Sequence, residues 1–186
     1  MNAKQNLNTA TPPGKAQPGR LKVGLAWAGN PEHHQDAARS LRLEQLAPIL
    51  QVPGVAFYNL QVPVPVGDQA CLQTMSASIH SNLKLADFLD TASVITEMDL
   101  VIAVDTAVAH LAGALGKPVW ILLQHSSDWR WMLDRPDSRW YPTARLFRQE
   151  ERGEWKTPIL HAAEALKLKK ESVASNCDHK PLATNY

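Results

Sequence analysis

The chain has 186 residues, enough for one domain of ordinary size with its own core. Lys and Arg number 19 against 18 Asp and Glu, so no basic field is offered to a nucleic acid. The two cysteines, Cys71 and Cys177, lie far apart without metal or redox spacing; they read as free thiols of a reducing, cytoplasmic compartment.

Residues 1–20 are polar and rich in Pro, Gly and Asn, and read as a disordered tail or linker. No continuous apolar segment there suggests a signal peptide. Residues 21–28 (LKVGLAWA) read as a first strand, broken by Gly29, Asn30 and Pro31. The polar loop 29–40 carries His33, His34, Asp36, Arg39 and Ser40. Such a loop holds an anion through backbone N–H groups and an arginine, although Arg39 is equally readable as a surface residue. Adjacent His33 and His34 lack a third spaced partner, so no metal is expected.

Residues 41–50 have helical periodicity, with a short or kinked helix at Pro48. Residues 55–61 read as a second strand. Residues 62–81 read as a loop or weak helix, because VPVPVGDQ excludes a central strand. A short strand is expected at 83–85. Asp87 then caps a helix whose buried face is expected to include Phe88, Ala92, Ile95 and Met98.

Residues 99–123 (DLVIAVDTAVAHLAGALGKPVWILL) are the centre of the chain. They read as strand 100–104, helix 107–115 and strand 119–123, with Gly116 at the helix end where positive φ is wanted. Asp105, His110 and Lys117 interrupt the apolar run. A charge near mid-bilayer costs at least ~2.5 kcal/mol, so the stretch is a buried core and not a membrane span. Asp105 and Thr106 stand between strand end and helix start, where α/β folds bind ligands and where phosphate is favoured. His110 lies four residues beyond Thr106, on the same helix face. The same pattern is equally that of a capped helix with a half-buried histidine.

Beyond residue 123 the chain is rich in aromatic side chains: Trp129, Trp131, Trp140 and Tyr141, interleaved with Asp128, Arg130, Asp134 and Arg135. It reads either as a lid over a ligand or as a satellite hydrophobic cluster. In the first case the rings, Trp129 among them, stack on a base or sugar and Arg130 or Arg135 meets a pyrophosphate. A last strand is expected at 144–148, a helix at 155–168, and a disordered tail at 169–186. Alternating strands and helices predict an α/β fold, a doubly wound, mostly parallel Rossmann-like sheet over residues 21–168. Neither GxGxxG nor a GxxxxGK[ST] loop is present, which argues against a simple NAD or ATP domain.

VDTAVAHLAGALGKPVWILL resembles the donor-site motif of the family 9, heptosyltransferase-like, glycosyltransferases. With GLAWAGNP, ARSL, DFLDTASVI, DWRWMLDR, WYP and RLFRQ, the pattern is similar to the glycosyltransferase module that ends bacterial tetratricopeptide-repeat proteins. The resemblance implies one half of a GT-B fold, the carboxyl-terminal half that binds a nucleotide-diphosphate sugar for transfer to an acceptor hydroxyl. Thr106, Ala107 and His110 match positions that meet the donor diphosphate, and Asp105 the motif aspartate near the donor sugar. His110 and Asp105 thus become the catalytic candidates. The backbone of Ala86 and Asp87 matches the nucleobase segment; Gly29, Asn30, Arg39 and Ser40 match a loop that adds phosphate contacts. Ala107 stands where the family usually has glycine. No cofactor or metal is implied. The catalytic base is expected on an amino-terminal half-domain or a repeat-containing partner. The alternative is a non-catalytic nucleotide-sugar-binding or interaction module.

Overall fold

The computed structural model describes residues 20–178; the tail expected over residues 1–19 and the end of the second tail lie outside them. Six strands form one all-parallel sheet: β1 (Leu21–Ala26), β2 (Val55–Asn59), β3 (Ile79–His80), β4 (Leu100–Val104), β5 (Val119–Leu123) and β6 (Ala144–Arg148). Their order is β3-β2-β1-β4-β5-β6. This is the order of the Rossmann-like doubly wound fold, in which the strand order reverses between β1 and β4.

Both faces of the sheet are covered, which is why the central strands are apolar throughout. In β4, Leu100, Ile102 and Val104 join one core with Trp120, Leu122, Phe147 and the long helix α6 (Lys156–Asp178). Val101 and Ala103 point the other way, into a second core. That core is closed by helices α4 (Phe88–Thr96) and α5 (Ala107–Ala114). Each fully buried Val, Leu or Ile contributes about 1.5–3 kcal/mol, so this two-sided burial dominates the stability of the strands that carry the site.

Several elements differ from the sequence expectation. The polar loop after β1 contains one helical turn, α1 (Asp36–Arg39). Helical periodicity over 41–50 resolves into a 3-10 turn at Leu43–Leu46 and a short helix α2 (Ala47–Leu50). Pro48 sits in the first turn of α2, where its missing N–H costs nothing. Of the two readings of residues 62–81, a loop or a weak helix, the structure has the helix α3 (Val66–Thr74); it buries only Asp68 and Leu72, so it shows no apolar stripe. The third strand is Ile79–His80 and not 83–85; Leu83 and Leu85 instead pack their side chains against the second core. In α4 the buried residues are Val94 and Ile95, with Met98 just beyond, while Phe88 is left exposed at the first turn. Helix α6 runs to Asp178, past the expected end at 168 and into the expected tail. No helix is long and apolar enough to cross a membrane among the described residues.

Candidate functional site

At the reversal point the loops beyond the paired carboxyl ends of β1 and β4 frame a cleft of about 770 Å³. In open α/β sheets this is where ligands bind. Gly29, Asn30 and Arg39 line it from the β1 side; Asp105, Thr106, Ala107 and His110 from the β4 side; Arg130 from the aromatic loop. The polar loop, the β4–α5 turn and the aromatic loop thus meet although they are distant in sequence.

The end of β1 is held by buried polar groups. Gln61 Oε1 accepts hydrogen bonds from the main-chain N–H groups of Trp27 and Ala28 at 3.0 and 2.9 Å. The indole N–H of Trp27 donates to Asp68 at 2.8 Å, and Arg42 Nε donates to the same carboxylate at 3.0 Å. Ser40 does not line the cleft; its hydroxyl accepts from the Gly29 N–H at 2.8 Å and so shapes the loop from behind. Arg39 crosses to the other wall, where Nη1 donates to the Asp105 main-chain carbonyl at 3.1 Å. Its Nε is paired with Asp36 at 3.3 Å. A Cβ on residue 29 would lie 2.3 Å from Asp36 Oδ1 and 2.6 Å from Arg39 Nη2. A larger residue there would push the ends of the Asp36 and Arg39 side chains from these positions.

At the β4–α5 turn, Thr106 takes the N-cap position without a side-chain capping bond. Its hydroxyl is buried and has no partner among the described residues. The capping expected of Asp105 and Thr106 therefore does not occur. The N–H groups of Ala107 and Val108, both at the cleft wall, keep no intrahelical acceptor. Asp105 turns its carboxylate towards His110, with Oδ1 3.5 Å from Nε2. Burial works to raise the Asp105 pKa. The His110 and Trp131 side chains, acting as hydrogen-bond donors, outweigh it, helped by the charges of His110 and Arg39, and the pKa lies below the ordinary carboxylate value. The Trp131 indole N–H is itself buried without a well-formed hydrogen bond, so its dipole acts on Asp105 at longer range.

His110 is fixed on three sides. Its ring stacks on Trp131 at 5.2 Å between centroids, and its Nδ1 lies 3.0 Å from the Tyr141 hydroxyl. Tyr141 was legible only as one ring of the aromatic stretch and Gly113 only as one small residue of the helix; their contact was not. The Tyr141 ring packs so closely on α5 that a Cβ at residue 113 would lie 2.4 Å from its Cγ. Arg148 is a further unforeseen member, donating to the carbonyls of Trp131 and Met132 at 3.1 and 2.7 Å. It thereby ties the aromatic loop to β6.

The remaining expected residues are placed less centrally. Arg130 is ion-paired with Asp128 at 3.2 Å. Trp129 lines a smaller aromatic pocket of about 210 Å³ beside the cleft, which shares His110 and Arg130 with it. Ala86 and Asp87 are not brought to the cleft wall. The Ala86 N–H donates to Asp90 at 3.0 Å, and Asp87 is the N-cap of α4, accepting from the Asp90 N–H. Among the described residues no cluster of three potential metal ligands occurs.

The chain is 34% identical over 151 residues to Protein FlbA of Caulobacter vibrioides, covering 78% of this chain and 25% of that protein. The crystal structure of the glycosyl transferase family 9 from Veillonella parvula matches with a TM-score of 0.51 and 14% identity. That alignment covers 84% of this chain and 46% of the other, and establishes a shared fold. The chain thus spans about a quarter of the first relative and under half of the second. Residues 59–167, which hold β4, α5 and the aromatic loop, match the model of glycosyltransferase family 9 (heptosyltransferase). This match takes in Asp105, Thr106 and His110, and on it the chain belongs to glycosyltransferase family 9.

Proposed function

We propose that the chain is the donor-binding half of a glycosyltransferase, holding a nucleotide-diphosphate sugar for transfer to an acceptor hydroxyl. The observation that carries this reading is the cleft between the ends of β1 and β4, where the uncapped start of α5, the unpartnered Thr106 hydroxyl, His110 and Arg39 converge. Such a set of donors suits a diphosphate: free N–H groups and the helix dipole favour anions, and a guanidinium adds charge-assisted bonds.

In the transfer, the bond between the anomeric carbon and the diphosphate oxygen breaks while the acceptor oxygen bonds to that carbon. The acceptor proton goes to a base that we place on a second, Rossmann-like half or a repeat-containing partner. Negative charge grows on the leaving diphosphate, where the α5 N–H groups, Thr106, His110 and Arg39 stabilise it in place. This is a route in which protein donors, without a metal, meet the developing charge. Asp105 keeps His110 oriented and lies at the sugar end. Ala107 brings a methyl group where a glycine would let phosphate approach more closely. On the β2 side the wall is Leu60, Gln61, Val62 and Pro63, which we assign to the nucleoside in preference to the Ala86–Asp87 turn. Trp129 and Arg130 close the opposite end.

The chain is small enough for amide-resolved NMR. Titration with UDP, ADP, GDP and CDP in turn is expected to move the amide signals of Gly29, Asn30 and residues 105–110 with one of the four. Shifts confined to other surfaces, or to none, would contradict the placement.

A further inference from the structure

The His110 ring has two different edges. Nε2 faces Asp105 on the cleft side, 3.5 Å from the carboxylate oxygen. Nδ1 faces away from the cleft, 3.0 Å from the Tyr141 hydroxyl. Tyr141 lines the small aromatic pocket but not the cleft, so it does not reach a ligand bound there. A carboxylate only accepts hydrogen bonds, whereas a phenol hydroxyl both donates and accepts. The contact with Asp105 therefore favours hydrogen on Nε2, and in the neutral ring Nδ1 is then bare. Among the described residues Tyr141 stands ready to donate to it.

We infer that Tyr141 is a positioning residue for His110: its hydroxyl donates to Nδ1 and holds the ring as the Nε2–H tautomer, whose N–H, held only loosely by Asp105 at 3.5 Å, is shared with an anion in the cleft. The inference rests on the donor-site reading for its consequence, but not for its geometry. If the ring takes up a proton, the Tyr141 hydroxyl rotates and accepts from Nδ1–H instead, so the ring keeps its orientation in both charge states. The stack on Trp131 fixes the plane of the ring, and Tyr141 fixes which edge faces the cleft. Tyr141 in turn depends on Gly113, because any side chain there meets its ring. The Gly113 position in the helix is thereby explained: it is the seat for the tyrosine that aims the histidine. The two partners lie 31 residues apart in the chain, on α5 and on the approach to β6.

The test is the side-chain nitrogen NMR spectrum of the full chain at alkaline pH, where a free imidazole is neutral. The His110 signals are identified by their loss in His110→Gln. Expected in the wild type is a protonated Nε2 and a bare Nδ1 whose shift shows an accepted hydrogen bond. In Tyr141→Phe the Nδ1 signal is expected to move to the position of a bare nitrogen without a partner. Gly113→Ala, which displaces the ring and leaves the hydroxyl in the chain, is expected to produce the same movement. A wild-type His110 protonated at Nδ1 would overturn the inference, and so would a Tyr141→Phe spectrum with Nδ1 unchanged. None of these outcomes needs a bound nucleotide, so they stand apart from the success of the donor-site reading. Where a nucleoside diphosphate binds, Tyr141→Phe is expected to weaken it roughly three- to tenfold, the size of one hydrogen bond.

Discussion

Asp105 shows how a single residue at the cleft ties stability to pH. Its carboxyl loses water on burial, yet donors from His110 and Trp131 hold its pKa below the unfolded value. The folded state therefore binds fewer protons than the unfolded chain as acid is added. The stability contributed is fully present above the ordinary carboxylate pKa and is lost as pH falls through the lowered folded one. Urea unfolding measured across the acidic range is expected to show this loss in the wild type. Asp105→Asn is expected to flatten that part of the profile; an unchanged slope would contradict the assignment. Spacing placed Thr106 and His110 on one helix face, four residues apart; the contact of His110 with Asp105, which precedes the helix and lies five residues away, was not legible from it. The role of Tyr141 was not legible either, because its contact spans two elements and depends on a glycine that looks ordinary in an alanine-rich helix. Thr106 was legible as a residue at the cap, but not as a hydroxyl left without a partner.

At the scale of elements, the strands buried on both faces were the clearest. Unbroken apolar runs specified β4 and β5 to the residue, and Asp87 marked the start of α4 by its capping bond to the Asp90 N–H. Elements without a period were read poorly: α3, with almost no buried face, stood only as one of two readings, and the two-residue β3 was missed. The exposure of Phe88 shows the limit of a helical wheel, which assigns a face to every turn although only Val94 and Ile95 of α4 are buried. Gly116 ends α5 as expected, with φ of 69°, and a methyl group added at its Cα would meet no neighbour within 4 Å. Any cost of Gly116→Ala therefore comes from backbone conformation alone. A loss of about 1–2 kcal/mol in chemical unfolding is expected. A neutral substitution would mean that the turn relaxes out of the left-handed region.

The whole molecule places its site by topology before any side chain acts. Strand order brings the β1 and β4 ends side by side, and the two loops that follow them face each other across the gap. Fold class and the approximate position of the cleft could be read from the sequence because alternating apolar strands and helices admit few arrangements. Which residues face one another across the cleft could not, as with Arg39 reaching the Asp105 carbonyl 66 residues away. Within this frame the central claim is that the cleft holds a nucleotide diphosphate through the start of α5. Calorimetric titration of the chain and of His110→Ala with UDP, ADP, GDP and CDP tests it most directly. The account predicts that one nucleotide binds the wild type and that the variant binds it tenfold or more weakly, a loss of about 1.4 kcal/mol or greater, as for a charge-assisted hydrogen bond. No binding at millimolar concentration, or equal binding by both proteins, would contradict it.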